Sequence, residues 1–214
     1  MQTLIARAKE DAQARLHAGV LRPDALRRVG RDADADDVFS LVVPAQREPL
    51  VAMTHERRQR LRRHVASLLR STAAEASAPG TEVSAPPPSA VVRGACAACQ
   101  GRCCSHGAER AYLTEATMAR VATSDDRPSP RHILRRYMAR VPSEAVRGSC
   151  IFHGAYGCTL NRSLRSEICN KHYCTALKAY LRDAPAEETR DVLVMAVQDD
   201  VLHDACLVNA ETTC

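Results

Sequence analysis

Apolar residues recur at helical spacing in two places in the first third of the chain. Leu4, Ile5, Ala8, Ala12 and Leu16 form one set, and Leu61, Val65, Leu68 and Leu69 form another within residues 55–70. Each set makes one apolar stripe on a polar rod, so each predicts an amphipathic helix. Between them, residues 31–37 read as an acidic turn, and residues 38–43 as an apolar run ended by Pro44 that is too short to assign as a strand. Pro79, Gly80, Pro86, Pro87 and Pro88 then interrupt a stretch of Ala and Ser, which predicts an extended linker with no core of its own. The expected organisation is a helical N-terminal region over 1–75, a linker over 76–92 and a second domain over 93–214.

Within that second domain, Thr114 is placed to cap a helix running to Val121. Pro130 opens another to about Arg140, with Ile133, Leu134, Tyr137 and Met138 as its apolar face. Residues 164–183 read as a single helix with Ile168, Leu177 and Leu181 inward. On such a helix Cys169 and Cys174 diverge by about 140°. Residues 192–197 and 201–208 flank Gln198-Asp199-Asp200, and the β-branched residues on both arms favour a hairpin over a capped helix starting near Pro185. The expected fold class is mainly α within α+β: a small helical cysteine-cluster module with a C-terminal β-hairpin, preceded by a helical N-terminal arm.

Composition changes this picture in one respect. Two Phe, five Tyr and no Trp leave few large side chains for a core of this length, and a bound metal, whose binding free energy appears as folding free energy, would compensate. The net charge of +5 and the run Arg57-Arg58-Gln59-Arg60-Leu61-Arg62-Arg63 invite a nucleic-acid reading. Against it, the chain has 27 Arg to 3 Lys and is rich in Ala, as coding bias in a GC-rich bacterial genome would produce. Residues 1–90 are nearly balanced, with 14 basic and 11 acidic side chains, and no aromatics interleave to stack bases. A solvated helix face is expected instead, with no nucleic-acid partner. The longest aliphatic run, residues 192–197, is far short of the roughly 20 residues of a membrane span. Residues 1–16 carry Arg7, Lys9, Glu10, Asp11 and Arg15 and lack the apolar core of a signal peptide, so a cytoplasmic location is expected.

The candidate chemistry lies in the cysteines. There are ten, none before residue 96; Cys96, Cys99, Cys103, Cys104, Cys150, Cys158, Cys169 and Cys174 crowd into 79 residues. In a reducing cytosol clustered thiols hold metal more often than they form disulfides, and C-x2-C places two thiolates on one ion from a tight turn. A tetrahedral zinc site and a cubane cluster each take about four such ligands, so these eight suffice for two sites. Only Cys96 and Cys99 form a zinc-ribbon knuckle, which tilts the expectation toward iron–sulfur, with zinc next and copper or a mixed site after them. Adjacent side chains point apart in regular backbone, so one of Cys103 and Cys104 is expected to ligate and the other to support a second site or to be a free reactive thiol. At least one site is expected to draw on both the 96–104 and the 150–174 groups. His106, His153 and His172 are expected at the surface or behind the ligands. Arg102, Arg162, Arg165 and Lys171 either offset thiolate charge or are simply solvated.

Enzyme motifs are few. Cys96, Cys99 and Cys103 reverse the spacing of a radical S-adenosylmethionine site, and 124 residues are too few for its barrel of about 200. Cys96-Ala97-Ala98-Cys99 lacks the βαβ context of a thioredoxin.

The segment Cys96-x2-Cys99-x3-Cys103-Cys104 resembles the signature of the bacterial CxxCxxCC cysteine-cluster family, described as a zinc- or iron-chelating domain. So do Ala111-Tyr112-Leu113-Thr114-Glu115, Cys150-Ile151-Phe152, Gly157-Cys158-Thr159-Leu160 and Arg165-Ser166-Glu167-Ile168-Cys169. Ser166 stands where the family usually has Pro, and Cys174 is an addition to its commonest pattern. The resemblance covers roughly residues 93–175 and implies zinc or iron chelation by these cysteines; some relatives of this family are flagellin lysine methylases that include the cluster. The expected function is that of a cytosolic metal-binding protein. The alternatives are a zinc-stapled interaction module with a protein partner on its N-terminal helices, and a small redox or protein-modifying enzyme.

Overall fold

The run Val192-Leu193-Val194-Met195-Ala196-Val197 offers no polar face, so it is stable only where both sides of a strand are covered. It becomes the central strand of a three-stranded sheet. In the computed structural model, which describes residues 19–74, 88–124, 126–183 and 191–209, the chain divides into two compact units. The sheet unit comprises Met1–Arg47, Pro88–Arg102 and Tyr173–Cys214, and the helical unit Glu48–Pro87 and Cys103–His172. The expected helix over Leu4–Leu16 and residues 76–87 of the expected linker lie outside the described residues.

In the sheet unit, β1 (Phe39–Pro44) runs parallel to the central strand (Val192–Gln198), and the C-terminal strand (Val201–Val208) pairs antiparallel on its other side. Gln198 pairs with Val201 around Asp199 and Asp200, whose φ angles of 52° and 60° give the left-handed two-residue turn that matches strand twist. Helix α1, described over residues 19–28, contributes Ala25 and Leu26 to the face that carries Leu193, Met195 and Val197. On the opposite face, Leu41, Val43, Val194 and Ala196 pack with Val92 and Ala95 of one helix, Ala90–Cys99, and with Leu177 and Tyr180 of another, Thr175–Asp183.

The helical unit is built on α2 (His55–Ala74), whose Leu61, Val65, Leu68 and Leu69 are all buried. In chain order after it come α3, the Ala90–Cys99 helix of the sheet unit, α4 (Glu115–Ala122), α5 (Pro130–Ala139), α6 (Glu167–Lys171) and α7, the Thr175–Asp183 helix. Thr114 Oγ1 accepts from Thr117 N, so α4 starts on its expected cap; α5 opens at Pro130 as expected, and Ser129, whose Oγ accepts from His132 N, caps it. Two short antiparallel pairs complete the unit: β2 (Leu50–Ala52) with β3 (Glu144–Val146), and β4 (His153–Gly154) with β5 (Gly157–Cys158). The central and C-terminal strands of the sheet are therefore β6 and β7. Tyr137 and Phe152, ring centroids 6.3 Å apart, close the core.

The α+β class and the C-terminal hairpin match the sequence reading. Three local expectations do not. Of residues 38–43, all but Val38 lie in strand β1, because pairing with β6 completes their hydrogen bonds. The single helix over 164–183 is broken: α6 ends at Lys171 and α7 begins at Thr175, leaving Ile168 and Leu181 exposed and only Leu177 inward. Cys96 and Cys99 sit on the last turn of α3, an Ala-rich helix that ends where Gln100 turns left-handed at φ 54°, rather than on a knuckle of their own.

Candidate metal centre

Gly101, at φ 90°, redirects the chain after α3 into a 3-10 turn over Arg102–His106 that carries Cys103 and Cys104. Three donors converge on the Cys104 carbonyl: Ser149 Oγ at 2.9 Å, Cys150 N at 3.1 Å and Gly107 N at 3.3 Å. The vicinal pair is thereby fastened to the turn that leads from Cys150, 46 residues later, into β4. Gly107 permits the approach, since a Cβ there would lie 2.8 Å from Cys150 Cβ and 2.9 Å from its Sγ. Ile151 N donates to Ala108 O, and the intervening loop holds Ala108, Ala111 and Tyr112 at positive φ, a conformation that persists where surrounding contacts over-determine it.

The other two thiols of this unit come from separate segments. Cys158 lies on β5 opposite His153. Cys169 lies on α6, whose cap is Ser166, with Oγ accepting from Cys169 N. Arg165 donates to the carbonyls of Leu160 and Cys158, and Arg120 donates to those of Ser163 and Arg165, which fixes the connection between these two cysteines. Cys150 belongs to the hydrophobic core of the unit and Cys104 and Cys158 pack against it; Cys103 is exposed.

The five thiols act on one another electrostatically. A hydrogen bond from Cys104 holds the Cys103 thiol down at about 7, helped by the Arg165 guanidinium. Cys104 moves the opposite way, through that same bond, through burial, and through the like charges of Cys103, Cys158 and Cys150. Burial pushes Cys150 up to about 12, with Cys158 and Cys169 adding to it, and burial also raises Cys169. The side-chain bond between Cys103 and Cys104 departs from the expectation that adjacent thiols point apart, because a 3-10 turn leaves them only about 120° apart.

Five of the eight candidate cysteines, Cys103, Cys104, Cys150, Cys158 and Cys169, are thus brought together in the helical unit. Cys96, Cys99 and Cys174 belong to the sheet unit, where Cys99 is part of the core beneath α3 and Cys174 packs against it. Cys206, on β7, is disulfide-bonded, while Cys103, Cys104, Cys150, Cys158 and Cys169 are free thiols. Among the described residues no three His, Cys, Asp or Glu side chains stand ready to hold a metal ion. His106 and His172 are exposed; His153 is buried, with Nδ1 2.7 Å from Ser149 Oγ. Of Arg102, Arg162, Arg165 and Lys171, it is Arg165 that acts on the thiols.

The sequence reading missed Arg57, Ser149 and Gly107. Arg57 donates through Nε to Glu109 at 2.9 Å and through a terminal nitrogen to Ser149 O at 2.8 Å, and it lowers the Cys150 pKa. Arg58 donates to the carbonyls of Val141 and Pro142. Two residues of the supposed solvated run are therefore internal ties; only their place beside the buried stripe of α2 could have signalled it. No helix among the described residues is long and apolar enough to cross a membrane. No protein-family model, no curated protein and no solved structure matches this chain.

Proposed function

We propose that this chain is a cytoplasmic metal-binding protein of the cysteine-cluster kind, holding an iron–sulfur cluster or zinc chiefly through the thiols of its helical unit. One observation carries the reading: five free thiols from four separate segments, at positions 103–104, 150, 158 and 169, influence one another within one unit. The charges that act on them are those of the other thiols and of Arg57 and Arg165, and soft sulfur donors suit iron–sulfur clusters and zinc. Closing on a metal requires the thiols to rotate toward a common point. Cys96, Cys99 and Cys174 form a second pool of three, one short of a tetrahedral set. The resemblance of residues 93–175 to the zinc- or iron-chelating cysteine-cluster family points the same way.

Anaerobic purification followed by metal analysis and an absorption spectrum tests this reading. Bound zinc or iron that is lost on Cys150→Ser or Cys158→Ser supports it. A metal-free, fully folded protein with all eight of these thiols titratable would sink it.

A second reading, a zinc-stapled interaction module without redox chemistry, draws support from the burial of Cys104, Cys150 and Cys158 against the hydrophobic core, where a metal would serve folding. Its discriminator is colour: a colourless zinc protein supports it, and a visible chromophore bleached by dithionite opposes it.

A further inference from the structure

The helical unit holds five clustered thiols where a thiolate site takes about four. The five are not equivalent. Cys150 is in the core, Cys104 and Cys158 pack against it, and the Cys104 main chain is fixed by Ser149, Cys150 and Gly107. Cys169 is half-buried on the capped turn of α6 and interacts with Cys158 and Cys150. Cys103 alone of the five is exposed, so its sulfur is the one that a small molecule in solution can reach.

We propose that Cys104, Cys150, Cys158 and Cys169 are the ligands, and that Cys103 is the unligated fifth thiol, at which a low-molecular-weight disulfide exchanges. The ligand half rests on the metal reading above; the exchange half does not. In the exchange, Cys103 loses its proton to solvent and its sulfur attacks one sulfur of the small disulfide. A new S–S bond forms to Cys103, the old one breaks, and the departing thiolate takes up a proton. Cys103 is thereby oxidised to a mixed disulfide and half of the reagent is reduced to thiol. The fate of that mixed disulfide depends on Cys104. Held on a metal, the Cys104 sulfur is occupied and the mixed disulfide persists. Free, it displaces the small thiol and leaves a Cys103–Cys104 disulfide, so the product reports the occupancy of the site.

The test uses the reduced full-length protein, metal-loaded and chelator-treated, exposed to glutathione disulfide, quenched in acid and mapped by tryptic mass spectrometry. Cleavage at Arg102 separates Cys96 from Cys103, and fragmentation separates Cys103 from Cys104. The loaded protein is expected to carry glutathione on Cys103 first among the five, with metal retained; the chelated protein is expected to yield the Cys103–Cys104 disulfide. Cys103→Ser should keep its metal and lose about tenfold in the glutathionylation rate of the Cys103–Arg110 peptide. Loss of metal in both Cys103→Ser and Cys103→Ala, with circular dichroism unchanged, overturns the ligand assignment. Modification of Cys104, Cys158 or Cys169 as fast as Cys103 overturns the exchange. If the wild type binds no metal, the metal reading and ligand half fail together, and the order of modification alone upholds or overturns the exchange half.

Discussion

The sheet unit and the helical unit solve the same problem, a shortage of large aromatic residues, by different means. In the sheet unit an unbroken aliphatic strand, β6, is covered on both faces, and its hydrogen bonds are completed by β1 and β7. Cys99 and Cys174 fill apolar volume there as any small hydrophobe would. The helical unit has four short strands and long connections, whose main-chain carbonyls need donors. Arginine supplies them: Arg57 reaches Ser149, Arg58 reaches Val141 and Pro142, Arg120 reaches Ser163 and Arg165, and Arg165 reaches Cys158 and Leu160. Five donors on one rigid fork let one side chain fasten two carbonyls. A charge composition that reads as a nucleic-acid surface is spent in part on tying loops around thiols.

If the helical unit depends on its thiols and the sheet unit does not, metal removal is the perturbation that separates them most. Anaerobic chelation is expected to cost the helical unit several kcal/mol. Native-state hydrogen exchange should show amides of residues 150–159 losing protection while those of residues 192–197 keep theirs. Equal loss in both segments would break the comparison.

Core truncation should hit both units, by amounts set by aliphatic and aromatic burial alone. Phe152→Ala removes a fully buried ring that touches Tyr137 and is expected to cost about 3–5 kcal/mol; Leu193→Ala, on the central strand, is expected to cost about 2–5 kcal/mol. Denaturant unfolding followed by the same segment-resolved exchange assigns each loss to its unit. The comparison sharpens if each loss stays local and weakens if Leu193→Ala loosens residues 150–159 as much as its own strand.

Much of this was legible in the sequence where one physical rule dominates. The buried stripe of α2, the cap at Thr114, the helix start at Pro130 and the β6–β7 hairpin follow from periodicity and capping chemistry. The break between Cys169 and Cys174 was not legible, because the apolar spacing of residues 164–183 fits one helix, while Ser166 starts α6 and the chain becomes extended again at His172, with φ −78° and ψ 124°. Strand β1 was hidden by its length, since its partner lies about 150 residues away and no local pattern announces it. The cysteines announced themselves, but which five meet depends on long-range ties from Ser149 and Arg120 that have no sequence signature.

Gly107→Ala probes the contact that makes the helical unit compact around its thiols. Its Cβ would sit 2.8 Å from Cys150 Cβ, so the loop or the Cys150 segment must shift, at an expected cost of about 1–3 kcal/mol. Cys150, buried in the wild type, should become alkylated measurably faster under native conditions. Unchanged stability and labelling would mean that the close approach is not maintained in solution.

The smallest expected effect is the dependence on pH of the metal-free protein, and it has a definite sign. The unfolded Cys150 thiol titrates near 9 and the folded one is pushed up to about 12, mainly by burial. Below pH 9 both states keep the proton and this group adds no slope. Between pH 9 and 12 the unfolded chain releases its proton while the folded chain holds it, so stability falls by at most about 1.4 kcal/mol per pH unit. Cys104 and Cys169, also raised, add to that fall. Cys103, held down at about 7, works in the other direction: its contribution is present above pH 9 and is lost as pH drops through 7. Together the thiols place the metal-free optimum near pH 9. Urea midpoints at pH 9 and pH 10.5, read by circular dichroism, should drop in the wild type and drop less in Cys150→Ala, because the variant has no proton to hold at that position. Equal drops in the two proteins would mean that Cys150 is as exposed folded as unfolded, and the thiols of the helical unit would then be no more part of its core than those of a solvated loop.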